Sequence, residues 1–243
     1  MAISGKRIVI TGGASGLGLE LVRQLTPDNE IIVIARESEG LKQLGSDYPE
    51  ISIFKADLSD DVAVKMAATD LVAKFPAIDG LINNAALQYT PSFLDPDFEY
   101  DQIAKEVAIN FTTPAQLCYL LLPSLLKGNL PFILNVNSGL GLVPKTSSAI
   151  YCATKGGLNI LSQALQNQLE QTDVAVLQAF LPLVDTAMTK GRGEGKLPPD
   201  RVASDILKGI AARKAMIDVG KVKLLRPISR FMPRLARKIM KSG

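Results

Sequence analysis

The chain has no histidine and no tryptophan among its 243 residues, and only two cysteines, Cys118 and Cys152. The missing histidine removes Ser-His-Asp triads, Cys-His proteases, HExxH metal sites and histidine general bases together. Two cysteines build no disulfide framework and show no metal-ligand spacing, so no metal is expected and a reducing cytoplasm is the expected setting. No apolar run approaches the ~20 residues that cross a bilayer. The opening MAISGKRIVITGG runs straight into a strand pattern, which leaves no room for a signal peptide. There is no internal repeat and no low-complexity block. Any chemistry therefore falls to Tyr, Lys, Asp, Glu or a cofactor.

What is present is apolar. Residues of that kind make up 47% of the chain, which fits one large domain around a buried parallel sheet. The net charge of +3 is unevenly spread. Of 27 Lys and Arg, eight lie in 221–243, where there is no acid; the first 220 residues carry 19 against 24 acids, a balance of −5. We therefore read 1–220 as a catalytic domain and 221–243 as a separate basic tail, and expect no nucleic-acid partner.

Arg7–Ile10 is a short apolar run of the kind that forms a buried parallel strand. It leads into Thr11-Gly12-Gly13-Ala14-Ser15-Gly16-Leu17-Gly18, then a helical pattern that stops at Pro27, then a second strand run at Ile31–Ala35. Glycines at 12, 16 and 18 permit a tight turn, close approach of backbone to a pyrophosphate, and packing of helix on strand. The helix N-terminus adds N–H donors and the positive end of a dipole. Arg36 follows the second strand, where an arginine holds the 2′-phosphate of NADP; Glu37, one residue on, keeps NAD open. Further strand runs are Ile51–Ala56, Ile78–Ile82, Pro131–Asn137, Asp173–Phe180 and an edge candidate at Ala215–Val219. The expectation is an α/β, single-domain, Rossmann-like doubly wound parallel sheet of about seven strands with helices on both faces. One long helix is expected over about 100–126, bent at Pro114 and Pro123.

The fifth strand delivers Ser138, and Tyr151 and Lys155 follow in a Y-x-x-x-K spacing. Residues four apart share one helix face. An ammonium ~4 Å from a phenol, at an effective dielectric of ~20, supplies a gross ~4 kcal/mol, enough to bring a pKa of ~10 to ~7.

TGxxxGxG after the first strand, N-N-A at Asn83–Ala85, and the set Asn110, Ser138, Tyr151 and Lys155 resemble the short-chain dehydrogenase/reductase family over about residues 5–190. The resemblance implies NADP(H), or NAD(H), and a small-molecule carbonyl or alcohol substrate. It implies that Asn110, Ser138, Tyr151 and Lys155 are catalytic, with the Asn110 main chain holding a water that relays protons to Lys155. It implies cofactor contacts from Thr11, Gly12, Ser15, Gly16, Leu17 and Gly18, from Arg36, Asp57 and Leu58, and from Asn84 and Ala85. Tyr151, Lys155, Pro182, Val184 and Thr186 complete the implied set. Two departures stand out. Ala86 replaces the last glycine of N-N-A-G, and Leu183 replaces the glycine of P-G-x-V-x-T. The P-x-V-D-T form resembles oxidoreductases found with lipoteichoic-acid D-alanylation genes. A homodimer or homotetramer through the helices at about 100–126 and 151–170 is also implied.

Gln88, Tyr89 and Phe93 lie in a turn-rich loop past the fourth strand and are candidate substrate contacts. Met188–Pro198 reads as a mobile lid or a plain loop, and its Lys190, Arg192 and Lys196 would favour an anionic substrate. In the tail, Ile228, Phe231, Met232, Leu235, Ala236, Ile239 and Met240 follow helical spacing between basic residues, with a helix expected from Pro233. That stripe would dock on the domain or a dimer mate, lie on an anionic membrane through 226–243, or meet another acidic partner. The expected function is an NADP(H)-dependent oxidoreductase. The alternative is a non-catalytic nucleotide-binding regulator or scaffold.

Overall fold

Runs of β-branched and aliphatic residues, too apolar to face water on either side, build the sheet. The computed structural model describes residues 3–241. RIVIT forms β1 (Arg7–Thr11) and EIIVIA forms β2 (Glu30–Ala35), joined by α1 (Gly16–Leu25), which buries Leu17, Leu21, Val22 and Leu25. α2 (Glu39–Asp47), capped by the Ser38 hydroxyl, leads to β3 (Ser52–Lys55). α3 (Asp61–Lys74), capped by Asp60, leads to β4 (Gly80–Asn83). The next crossover is α4 (Tyr100–Val107), a π-helical turn at Ala108–Thr112, and α5 (Thr113–Leu125), ending in β5 (Phe132–Ser138). α6 (Ala149–Gln168) connects to β6 (Ala175–Leu181), and α7 (Pro199–Ala211) to the short β7 (Met216–Asp218).

All seven strands are parallel, in the order β3-β2-β1-β4-β5-β6-β7. Ile10 of β1 lies between Val33 of β2 and Ile82 of β4. Alternate side chains go to opposite layers: Ile8 and Ile10 pack with Leu21, Val202 and Ile206, while Val9 packs with Leu71, Leu117 and Leu121. Winding proceeds outward from β1 to β3, then restarts at β4 on the other side. The order therefore reverses between β1 and β4, and the crevice beyond their C-terminal ends is where ligands bind in such sheets.

The doubly wound sheet matches the expectation, each strand within a residue or two. Two helical details differ. The 100–126 helix is interrupted at the π-turn around Asn110 and not at its prolines. Pro114 occupies the first turn of α5, where its missing N–H costs nothing, and Pro123 is carried inside that helix. In the tail, α9 (Pro233–Lys241) starts where expected, but α8 (Val222–Phe231) precedes it despite Pro227. Ser242 and Gly243, the end of the tail, lie outside the described residues. Both tail helices rest against the loop that follows β5. A Cβ at Gly139 would lie 3.2 Å from Leu225 and 3.3 Å from Val222, and Thr146 Oγ1 donates to the Lys241 carbonyl at 3.0 Å. Among the described residues no helix is long and apolar enough to cross a membrane.

Gly18 shows how tightly β1 and α1 are joined: a Cβ there would lie 2.1 Å from the Gly12 carbonyl oxygen and 2.5 Å from Asn84 Nδ2. Alanine would gain ~1 kcal/mol of helix propensity, less than the ~1–3 kcal/mol that overpacking against backbone costs. Gly18→Ala is therefore expected to lower unfolding stability in urea, and a variant as stable as the parent would contradict this close approach.

Candidate active site

The glycine turn between β1 and α1 is framed by side chains from β4. The Thr11 hydroxyl donates to the Ile82 carbonyl and accepts the N–H groups of Asn84 and Ala85 at 3.0 Å each. Asn84 Nδ2 donates back to the Thr11 and Gly12 carbonyls at 3.0 and 3.4 Å. Thr11 and Asn84 thus spend their polar atoms on holding the turn. Gly12 and Gly16 have φ of +69° and +53°, the left-handed region that favours glycine. Ser15 is exposed and its hydroxyl makes no capping bond to α1, so the first-turn N–H groups at Gly16, Leu17 and Gly18 have no side-chain cap. Thr186 closes over this turn: a Cβ at Gly16 would meet its Cγ2 at 3.2 Å. Val184 is buried and bridges to Leu197, while Pro182 packs towards Gly220. Ala86 is not among the residues with positive φ, so the missing glycine of N-N-A-G strains nothing.

Arg36 stands exposed at the end of β2 and has no ion pair among the described residues. Its neighbour Glu37 pairs instead with Lys55 at 2.5 Å, which holds its carboxyl below the usual range. Asp57 Oδ1 accepts from the Ser59 hydroxyl at 2.7 Å and the Ser59 N–H at 2.8 Å. These bonds, with Lys105 and Arg36 nearby, keep its carboxylate ionised below the usual range. Leu58 is buried, and its carbonyl accepts from Thr113 Oγ1 at 2.6 Å. The cap of α3 is Asp60, which leaves Asp57 at the crevice edge.

Buried amides register α6 on the sheet. Asn83 Nδ2 donates to Asn135 Oδ1 and Asn135 Nδ2 to Ser162 Oγ, each at 2.8 Å. Asn137 Nδ2 donates to Gln178 Oε1 at 3.1 Å. That registration carries Tyr151 and Lys155, one turn apart, to the end of β5 where Ser138 sits. The Ser138 Oγ accepts from the Leu140 N–H at 3.1 Å, which leaves its own proton free to donate. Lys155 Nζ donates to the Val136 carbonyl at 2.8 Å, its one hydrogen bond among the described residues, although an ammonium has three donors. Lys155 is 3% exposed, and burial pushes its ammonium down to about 8. Asn110 is fully buried in the π-turn. Its Oδ1 accepts from the Leu87 N–H at 2.8 Å, and its Nδ2 donates to the Leu87 carbonyl at 2.7 Å and Thr154 Oγ1 at 3.3 Å. The side chain is spent on clamping the loop after β4 to α6, so only the Asn110 main chain is left for the implied relay. Such π-turns occur often at functional sites.

One expectation needs correcting. Lys155 does not bring the Tyr151 phenol towards neutrality in this structure. Its Nζ points to Val136 and lies 5.7 Å from the phenol ring centroid. Burial raises Tyr151 to about 12, against which the Ser138 hydroxyl and the Arg192 charge pull downward. The sequence estimate omitted the desolvation that both groups suffer.

The loop candidates divide. The Gln88 carbonyl and Oε1 accept from Arg192, and Gln88 Nε2 donates to Ser148 Oγ at 3.1 Å, so this residue does sit beside the N-terminus of α6. The Tyr89 N–H donates to Glu106 Oε1 at 3.2 Å. Phe93 stacks on Phe98 at 4.6 Å and faces solvent, away from the site. Of the lid cations, Lys196 is held by Asp185 and the Thr189 carbonyl, Lys190 is exposed, and only Arg192 turns inward. Sequence reasoning missed Glu106 and Lys145. Glu106 lies one helical turn before Asn110, a spacing that was there to be read. Lys145 carries no pattern at all.

The residues fit a dinucleotide: a glycine turn in left-handed backbone at Gly12 and Gly16, an uncapped helix end, and spare N–H groups on a buried ammonium. A parallel doubly wound sheet whose first crossover opens on a glycine turn defines a dinucleotide-binding class of fold. The short chain dehydrogenase family model matches residues 6–197. The chain is 30% identical over 237 residues to the uncharacterized oxidoreductase DltE of Bacillus subtilis (strain 168), over 95% of this chain and 94% of that one. A short chain dehydrogenase from Burkholderia cenocepacia J2315 in complex with NADP superposes with a TM-score of 0.87 at 21% identity, covering 99% of each chain. A short chain dehydrogenase/reductase from Burkholderia phymatum in complex with NAD gives a TM-score of 0.83 at 20% identity, over 95% of this chain and 96% of that one. The chain belongs to the short-chain dehydrogenase family and is an oxidoreductase.

Glu106 generates a stability prediction. It is 2% exposed, and burial raises its carboxyl from 4.5 to about 7, while the Tyr89 N–H and Arg192 pull the other way. A carboxyl raised in the folded state favours folding most below its unfolded pKa, and that advantage is lost as pH climbs from 4.5 to about 7. Glu106→Gln keeps an acceptor for Tyr89 and removes the buried charge. It is expected to be more stable than the parent by up to ~2–3 kcal/mol at pH 8, with the difference vanishing by pH 4.5. Denaturant unfolding at the two pH values checks this; a gap that is the same at both would contradict it.

Proposed function

We propose that the protein is an NADP(H)-dependent oxidoreductase acting on a carbonyl or alcohol substrate, with Tyr151 as general acid/base and Ser138, Lys155 and Asn110 in support. The observation that carries this reading is a phenol beside a buried, under-bonded ammonium, with the Ser138 hydroxyl against the phenol. When bound, a nicotinamide dinucleotide supplies the hydride to the carbonyl carbon or accepts it in reverse. The turn at Thr11–Gly18 and the α1 N-terminus would hold its pyrophosphate. Lys155 would hold ribose hydroxyls; Asp57, Leu58, Asn84 and Ala85 would line the adenosine side, and Pro182, Val184 and Thr186 the nicotinamide side. Tyr151 donates its phenolic proton to the carbonyl oxygen as the alcohol forms, and its phenolate takes that proton back in oxidation. Ser138 donates a hydrogen bond to the same oxygen, stabilising the charge that develops there. With its pKa at about 12 the phenol is fully protonated at neutral pH, the form that carbonyl reduction requires.

NADP over NAD rests on Arg36. It is exposed and unpaired, whereas the acid that would accept bonds from ribose hydroxyls, Glu37, is engaged by Lys55. Two buried free cysteines suit a reducing compartment. α5 and α6 leave Tyr119, Leu126 and Ile160 exposed, the faces on which we expect a second copy to pack. The tail helices rest against their own domain, and their outer face, where Phe231 and Met232 remain 77% and 54% exposed, is the one that would meet an anionic membrane surface. Lys221, Lys223, Arg230, Arg234, Arg237 and Lys241 are exposed around them, with no acid in α8 or α9.

NADPH oxidation with a carbonyl panel tests the main reading. Tyr151→Phe is expected to lose ~10²–10⁴-fold in turnover while still binding NADPH, and equal turnover in the variant would favour the binding-only alternative. Arg36→Ala is expected to weaken NADPH ~10-fold or more and leave NADH nearly unchanged, since a charged hydrogen-bond pair is worth ~1.5–3 kcal/mol. Equal losses for both nucleotides would remove the NADP preference. For the tail, Phe231→Ser with Met232→Ser should abolish co-sedimentation with phosphatidylglycerol-containing vesicles. A parent protein that stays in the supernatant would rule out the membrane.

A further inference from the structure

Two cations near Tyr151 form no ion pair among the described residues. Arg192 enters from the loop after β6, between Gly191 and Gly193, both in left-handed backbone at φ +76° and +50°. It is half-buried. Its Nη1 donates to Gln88 Oε1 at 2.9 Å and its Nη2 to the Gln88 carbonyl at 3.2 Å, both neutral acceptors. Gln88 is anchored in turn on Ser148, a buried residue at φ +60° three positions before Tyr151. Lys145 lies in the loop between Ser138 and α6, half-buried, and its ammonium has no hydrogen bond or ion pair among the described residues.

The two converge on one place. The Arg192 charge acts on Tyr151, on Glu106 and on Lys145, and Lys145 acts on Cys152, the residue after Tyr151. Glu106 is the carboxylate nearest to hand. It is spent on the Tyr89 N–H and forms no ion pair with Arg192. Half-buried cations are normally paired, because desolvation without a counter-charge is costly. Here the Gln88–Ser148 chain holds a planar guanidinium fork beside the start of the Tyr151 helix, and the loop leading into that helix carries an unpaired ammonium, an arrangement suited to carboxylate or phosphate oxygens.

We propose that Lys145 and Arg192 form an anion subsite, and that the carbonyl substrate of this enzyme carries a carboxylate or phosphate that seats on them while its carbonyl meets Tyr151 and Ser138. This rests on the reading of Tyr151 as acid/base. It narrows the substrate to a small oxo acid or phosphorylated carbonyl compound and gives Gln88 the task of presenting the guanidinium.

Calorimetric titration of the NADP⁺-saturated protein, where no reduction can occur, tests the subsite without turnover. The probes are 4-oxopentanoate against its methyl ester, and dihydroxyacetone phosphate against dihydroxyacetone. At least one anion is expected to bind ~10-fold or more tightly than its neutral partner, and the pair that responds identifies the anion. Arg192→Gln and Lys145→Met should each remove most of that advantage and together abolish it. Arg192→Lys should keep part, and Lys65→Gln, the same charge change on the exposed face of α3, should keep all. Equal binding of anion and neutral partner in both pairs, or an advantage that survives the double variant, overturns the proposal. Turnover with NADPH separates the two readings. Anion preference with full activity in Tyr151→Phe would discard the acid/base role and keep the subsite; the reverse pattern would discard the subsite alone.

Discussion

A buried ammonium with one protein hydrogen bond is the constraint around which this molecule is arranged. Lys155 is buried almost completely, with only the Val136 carbonyl to receive it among the described residues, and burial lowers its pKa to about 8. A fold optimised for stability alone would put an apolar side chain there. The cost is tolerated because the surroundings are rigid. β5 supplies the carbonyl, the Asn83–Asn135–Ser162 chain fixes α6 upon it, and the π-turn at Asn110 clamps the neighbouring loop to α6. The same three devices deliver Ser138, Tyr151 and the wall of the crevice. Under the proposed function, the spare N–H groups on this fixed ammonium would receive hydroxyl oxygens, which would make a destabilising residue useful.

The phenol gives the complementary half of the argument. Desolvation dominates Tyr151 in the absence of ligand, and the ammonium beside it is directed elsewhere. At about 12 the phenol is protonated, the form from which donation starts, but it is a weak acid, and both directions would gain from a ligand that stabilises the phenolate. Arg192 and Glu106 add a second tier of charge around the same ring. The electrostatics of this site are therefore set as much by the loops after β4 and β6 as by the helix that bears the tyrosine.

Much of this was legible in the sequence for physical reasons. Buried parallel strands are short aliphatic runs, so all seven could be read, and the crevice follows from the glycine turn at 12–18 once the sheet is doubly wound. Tyr151 and Lys155 share a face because four residues make about one turn. Other features were not legible. A π-turn has no composition of its own, so the break in the 100–126 helix was assigned to prolines when it lies at Asn110. The tail stripe was read as one helix from Pro233, and α8, which carries Pro227 inside it, went unread. The direction of the Tyr151 shift depends on burial, which no spacing reports. Gln88 meets Arg192 only through loop packing across 104 residues.

The central claim is that Tyr151 is a proton donor held high by burial and released by ligand binding over Lys155. Titration of ¹³Cζ-labelled tyrosine, with Tyr151 assigned from Tyr151→Phe, tests this most directly when performed with and without saturating NADP⁺. The account predicts a resonance titrating near about 12 in the free protein and several units lower in the complex, with the drop lost in Lys155→Met. A Tyr151 titration that NADP⁺ leaves unmoved, or that falls equally without Lys155, would contradict it.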